Sequence, residues 1–128
     1  MSSTTYDTRF FVEHYYSDNK EVTASTAREI RKQKEKSVSS IVVHELYRLT
    51  LQKEGRQVAS LRADLLRKDF GVVPVDGQLA IASAELRQKY GTPLADSIIA
   101  ATAILMRSVC VTDDPHIKKI REVRTRWI

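Results

Sequence analysis

The sequence predicts an α/β protein, a three-layer α/β/α sandwich around a short, mostly parallel central sheet. Two observations carry this. Short runs of β-favouring or apolar residues (TTY, SVSS, VVPV and VCVT) are separated by stretches with helical periodicity, several of which open on a capping residue or close on glycine. Strands separated by helices pair in parallel through right-handed crossovers, which buries the sheet between helical layers. With 128 residues the chain reads as a single domain, residues 1–128, large enough for a core that needs no staple.

In chain order, Thr4 to Tyr6 form a first strand that ends at Asp7. Thr8 to Tyr16 then form a helix with Phe10, Phe11, Tyr15 and Tyr16 clustered on it; these suit a core or an interface better than a base-stacking platform, since no basic residues alternate with them. Asp18 or Asn19 caps a second helix reaching about Lys36, with Val22, Ala27 and Ile30 on one side and a basic opposite face. SVSS is the second strand, Ser40 caps a helix that Gly55 ends, and Arg56 to Phe70 form another, closed by Gly71. VVPV is a third strand, and Pro74 places it at an edge or a strand end. Asp76 to Tyr90 is helical and stops at Gly91. The next helix runs from Thr92 to Arg107, with Thr92 as N-cap and Pro93 at the first helical position. It is apolar or small on nearly every face and therefore central. VCVT reads as a strand buried on both faces, Pro115 starts a short helix to about Ile120, and Val123 to Ile128 add a last strand.

Asp96 stands in the first turn of that buried helix. Two explanations fit it: the N-terminal dipole favours an acid by about 0.3–1 kcal/mol, or the carboxylate coordinates a cation, because an ionised acid inside a core must be paired or ligated. In open parallel sheets ligands bind beyond the carboxyl ends of the strands. Asp7 ends the first strand, Asp113 and Asp114 follow VCVT, and Asp96 and Glu45 lie near helix starts, so separate segments deliver acids to one edge. Each also has a plainer role available. Asp7 and Asp114 can act as N-caps, whereas Glu45 has only Arg48, three residues on, as a nearby partner.

Gathered carboxylates repel, by about 4 kcal/mol for two unit charges about 4 Å apart at an effective dielectric of about 20. Such a site takes up protons or holds cations. Hard oxygen ligands with no accompanying histidine or thiolate select Mg²⁺ or Mn²⁺ over zinc, and a pair of such ions about 3.5–4 Å apart can activate a water and stabilise the leaving oxygen of a phosphodiester. The reaction implied is metal-dependent hydrolysis of nucleic acid. Charge agrees with this: 21 Lys and Arg stand against 16 Asp and Glu, and with those five acids set in one pit the remainder carries +10. Such an excess suits a polyanion, or equally a solvated surface rich in lysine and arginine.

Other chemistries are excluded or disfavoured. The four glycines are scattered, so no glycine-rich phosphate loop is present. Cys110 is the one cysteine, which rules out an intramolecular disulfide; it reads as a small core residue in a reducing, cytosolic compartment. The beginning of the sequence, MSSTTYDTRF, has no basic segment followed by an apolar one, and no apolar stretch is long enough to span a bilayer, so a soluble, cytoplasmic protein is expected. In HELYR, Arg48 stands where a zinc-protease helix needs its second histidine. His14 and His116 read as surface or packing residues.

The ordered set TTYDTRFF, VVHEL, PLADSIIAATA and VTDDPHI, spread over nearly the whole chain, resembles the PIN domains, in particular the small toxin ribonucleases of the VapC type. The resemblance implies an α/β/α nuclease whose quartet of acids binds Mg²⁺ or Mn²⁺, here Asp7, Glu45, Asp96 and Asp114. Thr112 matches a hydroxyl that helps order the site, and Asp113 adds a fifth acid that can share the metal. Arg9 and Ile117 depart from the family pattern, which usually has a small or polar residue and an aromatic there. The same resemblance implies a small antitoxin partner, seated in a groove beside Phe10, Phe11, Tyr15 and Val22, and a homodimer formed through helices. The expectation is therefore an endoribonuclease acting on RNA as the toxin of a toxin–antitoxin pair. The alternatives are a PIN nuclease of RNA maturation without an antitoxin, and a nucleic-acid-binding scaffold without turnover.

Overall fold

The computed structural model describes residues 3–128; the reading of the N-terminus at Met1 and Ser2 lies outside the described residues. Five strands form one sheet: β1 (Ser3–Tyr6), β2 (Glu35–Ser39), β3 (Gly71–Val73), β4 (Val109–Val111) and β5 (Thr125–Arg126). Their order is β3-β2-β1-β4-β5, and every pairing is parallel. The helices are α1 (Thr8–Tyr16), α2 (Lys20–Lys32), α3 (Ser40–Glu54), α4 (Arg56–Asp69), α5 (Gly77–Tyr90), α6 (Leu94–Leu105) and α7 (Pro115–Lys118). The crossovers from β1 to β2 and on to β3 run outward along the sheet, while the crossover from β3 to β4 returns across it. Right-handed connections put these on opposite faces, which yields the three layers. They also make the gap between β1 and β4 the point where the strand order reverses, the place where an open parallel sheet binds ligands.

The core grows from the centre of that sheet. Tyr6, Phe10, Phe11 and Phe70 are buried and meet with ring centroids 4.7–6.3 Å apart, in tilted and edge-to-face contacts. Phe10 and Phe11 are therefore core; of the residues expected beside an antitoxin, Phe11 and Tyr15 line one groove and Val22 lines another. Helix α6 is buried through Ser97–Ala103, and its small residues Ala100, Ala101 and Ala103 allow it to approach closely. Its two buried hydroxyls are satisfied internally, Ser97 by Pro93 O at 2.8 Å and Thr102 by Ile98 O at 2.8 Å.

Several element boundaries differ from expectation for local reasons. Helix α2 ends at Lys32 rather than Lys36, because Glu35 and Lys36 are taken by β2, pairing with Ser3 and Thr4. The Lys36 ammonium then donates to Ile30 O and lies 5.0 Å above the Phe70 ring. Asn19, not Asp18, caps α2, accepting from Glu21 N. Ser39, not Ser40, caps α3, accepting from Ile41 N at 3.2 Å, while the Ser40 hydroxyl accepts from Val75 N. Gly71 opens β3 instead of closing α4, and Pro74 falls just beyond this edge strand. Thr92 does not cap α6: Pro93 occupies that position, and the buried Thr92 hydroxyl meets Ser97 Oγ at 2.6 Å. Helix α7 stops at Lys118 and the final strand shrinks to two residues. Gly91 ends α5 as expected, with φ 66° and ψ 30°, the left-handed region that favours glycine.

One polar cluster ties α2 to the sheet. Arg126 of β5 forks onto Glu29 at 3.1 and 2.6 Å, and Tyr6 donates its hydroxyl to the same carboxylate at 2.7 Å. These partners hold the Glu29 carboxyl below its ordinary range despite its burial. Replacing Arg126 with methionine keeps the packing stem and removes both charge-assisted bonds. A loss of about 2 kcal/mol of stability is expected, read as a fall of several degrees in thermal melting followed by circular dichroism.

Candidate active site

Asp7 follows β1 and is almost fully buried, with 3% of its surface exposed. Its backbone N–H continues the ladder by donating to Val111 O at 3.2 Å. The carboxylate makes no capping bond to α1, so the plainer explanation for this acid fails. Instead Oδ2 accepts from the Thr112 hydroxyl at 2.6 Å, across the switch point between β1 and β4. That same hydroxyl oxygen accepts from Asp114 N at 3.0 Å. Thr112 thus links the two strand ends through one side chain.

Asp114 is the N-cap of α7, its Oδ1 accepting from His116 N at 2.8 Å. Capping uses one oxygen and leaves the other. Glu45, in the second turn of α3, is oriented by Thr8, whose hydroxyl donates to Oε1 at 2.6 Å. Thr8 was not singled out in the sequence; the signal was present in the Asp7-Thr8 pair at a strand-to-helix junction. Asp96, half-buried in the first turn of α6, feels the charges of both Asp114 and Glu45, and Asp7 feels those of Asp96 and Asp114. Four segments far apart in sequence therefore bring acids to the carboxyl edge of the sheet within reach of one another's charge, with Asp96 and Asp114 close enough to share a cation.

Two residues are placed differently from expectation. Asp113 is not free to act as a fifth ligand: Arg9 Nε and Nη2 take both of its oxygens at 3.1 Å each. This pair sits at the rim, and the guanidinium holds the Asp113 carboxyl below its usual range. Conversely His116, expected at the surface or in packing, is exposed but turned toward the acids. One of its ring nitrogens and one carboxylate oxygen each from Asp96 and Asp114 lie within 4.8 Å of one another. Two-residue spacing from an N-cap was the sequence signal for it, since an aspartate capping the i+2 amide brings that residue alongside. His14 is a packing residue, as expected, with Nδ1 2.8 Å from the Thr26 hydroxyl.

The model of the PIN domain family matches residues 5–123. The chain belongs to the PIN domain family. PIN domain nucleases are hydrolases acting on nucleic acids. Among solved structures, the chain shares its fold with VapBC2 from Rickettsia felis, solved bound to a DNA fragment from its promoter (16% identity, 98% of each chain covered, TM-score 0.78). It shares it also with a toxin–antitoxin complex from Klebsiella pneumoniae (24% identity, 98% and 100% covered, TM-score 0.75). A third is VapC20 from Mycobacterium tuberculosis, a sarcin–ricin loop cleaving toxin (18% identity, 95% and 99% covered, TM-score 0.75). No curated protein sequence matches the chain.

The electrostatics of this PIN domain follow from its geometry. Burial raises the Asp7 carboxyl to about 6, against the Thr112 hydrogen bond and with the Asp96 and Asp114 charges adding to the rise. Asp96 is likewise pushed up to about 6, by burial first and then by the Asp114 charge. Between pH about 4 and 6 the folded chain keeps a proton on Asp7 that the unfolded chain has released. Stability contributed by this group therefore falls as pH rises through that window, and the full penalty stands above it. Asp7→Asn removes the penalty. In divalent-free buffer its melting temperature, relative to wild type, is expected to rise between pH 4 and pH 8 by an amount equivalent to on the order of 2 kcal/mol. An offset independent of pH means that Asp7 carries no such strain.

Proposed function

We propose that this PIN domain, acting as one unit over residues 1–128, is a divalent-metal-dependent endoribonuclease and the toxin of a toxin–antitoxin pair. The observation that carries the reading is the convergence of Asp7, Glu45, Asp96 and Asp114 at the switch point. The donors fit Mg²⁺ or Mn²⁺: they are carboxylate oxygens, the side chains hydrogen-bonded to Asp7 and Glu45 are neutral hydroxyls, and Glu45 and Asp114 each keep one oxygen outside these bonds. Bound there, a divalent cation supplies Lewis acidity to an attacking water and to the leaving oxygen of the phosphodiester. The chain's own residues do the placing. Thr112 holds Asp7 against the Asp114 backbone, Thr8 holds Glu45, and no side chain is required as nucleophile.

The toxin assignment draws its support from the shared fold with VapC proteins solved in complexes with their partners. An antitoxin segment suits a groove of about 320 Å³ between α1, α2 and α4, walled by Tyr15, Ile30, Leu65 and Phe70 with Arg31 and Asp69 at its margins. Exposed Ile81 and Leu105 on α5 and α6 suit a homodimer formed through helices. No helix among the described residues is long and apolar enough to cross a membrane, and the buried free thiol of Cys110, pushed up by burial, suits the reducing cytoplasm.

Incubation of purified protein with a structured RNA pool in Mg²⁺, in Mn²⁺ and in EDTA tests the reading. Cutting is expected with either ion and none in EDTA, and Asp96→Asn should lower the rate by at least about a hundredfold. Metal-independent cutting, or an undiminished Asp96→Asn, overturns it. Folded protein that binds RNA without cutting it turns the assignment to a scaffold.

A further inference from the structure

We propose that His116 contributes an imidazole nitrogen to the cation held by Asp96 and Asp114, making this a mixed nitrogen and oxygen site that favours Mn²⁺ over Mg²⁺. The inference rests on the metal-dependent reading above and specifies its ligand set. An octahedral ion with ligands at about 2.1 Å spans about 4.2 Å between opposite donors. The Asp96 oxygen, Asp114 oxygen and His116 nitrogen already lie within 4.8 Å of one another, so a small turn of the exposed His116 ring and the half-buried carboxylates brings all three onto one ion.

The backbone holds His116 in this place. Asp114 caps α7 by accepting the His116 N–H, and Pro115 between them fixes the first helical position. The ring therefore stands over the capping carboxylate without itself being packed, and it makes no hydrogen bond to another side chain among the described residues. The other two histidines are differently disposed: His14 is tied to Thr26, and His44 is exposed on α3 beside Glu45. With Asp113 engaged by Arg9, the cluster has lost one candidate oxygen ligand and gained a nitrogen. That exchange matters for metal choice. Mg²⁺ takes oxygen almost exclusively and parts reluctantly with its waters, whereas imidazole suits transition ions, among which Mn²⁺ is the one that also suits a carboxylate-rich site.

Mn²⁺ itself is the probe. In the Mn²⁺-loaded protein, pulsed electron paramagnetic resonance should show a directly coordinated ¹⁴N that His116→Ala abolishes and His44→Ala leaves in place. By titration calorimetry, His116→Ala should weaken Mn²⁺ by about tenfold while changing Mg²⁺ much less, with the melting temperature unmoved because the side chain is exposed. Absence of nitrogen coupling in wild type, or equal or tighter binding of both ions to His116→Ala, overturns the proposal and leaves the ring a mere neighbour of the acids. Asp96→Asn separates the two levels of inference. If it abolishes Mn²⁺ binding while wild type shows no nitrogen, only the role of His116 fails; if it binds Mn²⁺ as wild type does, or wild type binds none, the metal reading fails with it.

Discussion

Everything at the carboxyl edge of this sheet follows from keeping four acids together against their own repulsion. Two unit charges about 4 Å apart at an effective dielectric of about 20 repel by about 4 kcal/mol; Asp96 and Asp114 carry oxygens within 4.8 Å of each other, and burial of Asp7 adds a further cost. The fold meets the cost with packing rather than with counter-charges. Beneath Asp7 stands the aromatic cluster of Tyr6, Phe10, Phe11 and Phe70, which fixes the β1-to-α1 junction. Opposite it, the alanines of α6 let that helix close on the sheet, so that an acid in its first turn arrives beside the strand ends. A larger residue at Ala100 would move the helix and Asp96 with it.

The partners chosen for the acids are consistent with this. Thr8 and Thr112 donate neutral hydroxyls, which orient Glu45 and Asp7 and ease their charge without cancelling it. One arginine close in sequence is held to the side. Arg9 follows Asp7 by two residues, and a guanidinium inside the pit would neutralise the acids and compete with any cation. Asp113 holds it at the rim in a two-point fork. The fifth acid is thus spent on keeping the other four unpaired.

Much of this was legible in the sequence because it depends on local rules. A strand ending at Asp7, Gly91 before a uniformly apolar helix, and a proline after Asp114 each mark a boundary, and the parallel order then brings those boundaries to one edge. What escaped depends on contacts between distant segments. Lys36 reads as helical by propensity, yet pairing with β1 and the Phe70 ring claims it for β2. The Arg9–Asp113 fork joins residues over a hundred positions apart, and nothing local to either announces it. His116 could have been found from the Asx cap alone, but an exposed histidine near a helix start is ordinary until Asp96 is known to lie across from it. The aromatic residues of α1 left two roles open: a cluster on an amphipathic helix fits a core and a docking face equally well, and packing on Tyr6 and Phe70 buries Phe10 and Phe11 while Tyr15 stays at the wall of a groove.

The uneven burial of the acids gives the pit a direction. Asp7 lies at its floor, 3% exposed, while Asp96 and Asp114 are half-buried and His116 is open to solvent. On the metal-dependent reading, a cation would pass the last three and meet Asp7 last. The chain carries a formal +5, so a polyanion is drawn to the surface as a whole, but four uncompensated carboxylates repel its phosphates over the last several ångströms, inside the roughly 8 Å reach of charge in physiological salt. A divalent ion bound there would halve that formal charge and give the phosphate a cation to approach. In the nuclease reading, metal occupancy therefore governs whether the scissile phosphate can reach the acids at all, before any question of bond cleavage arises.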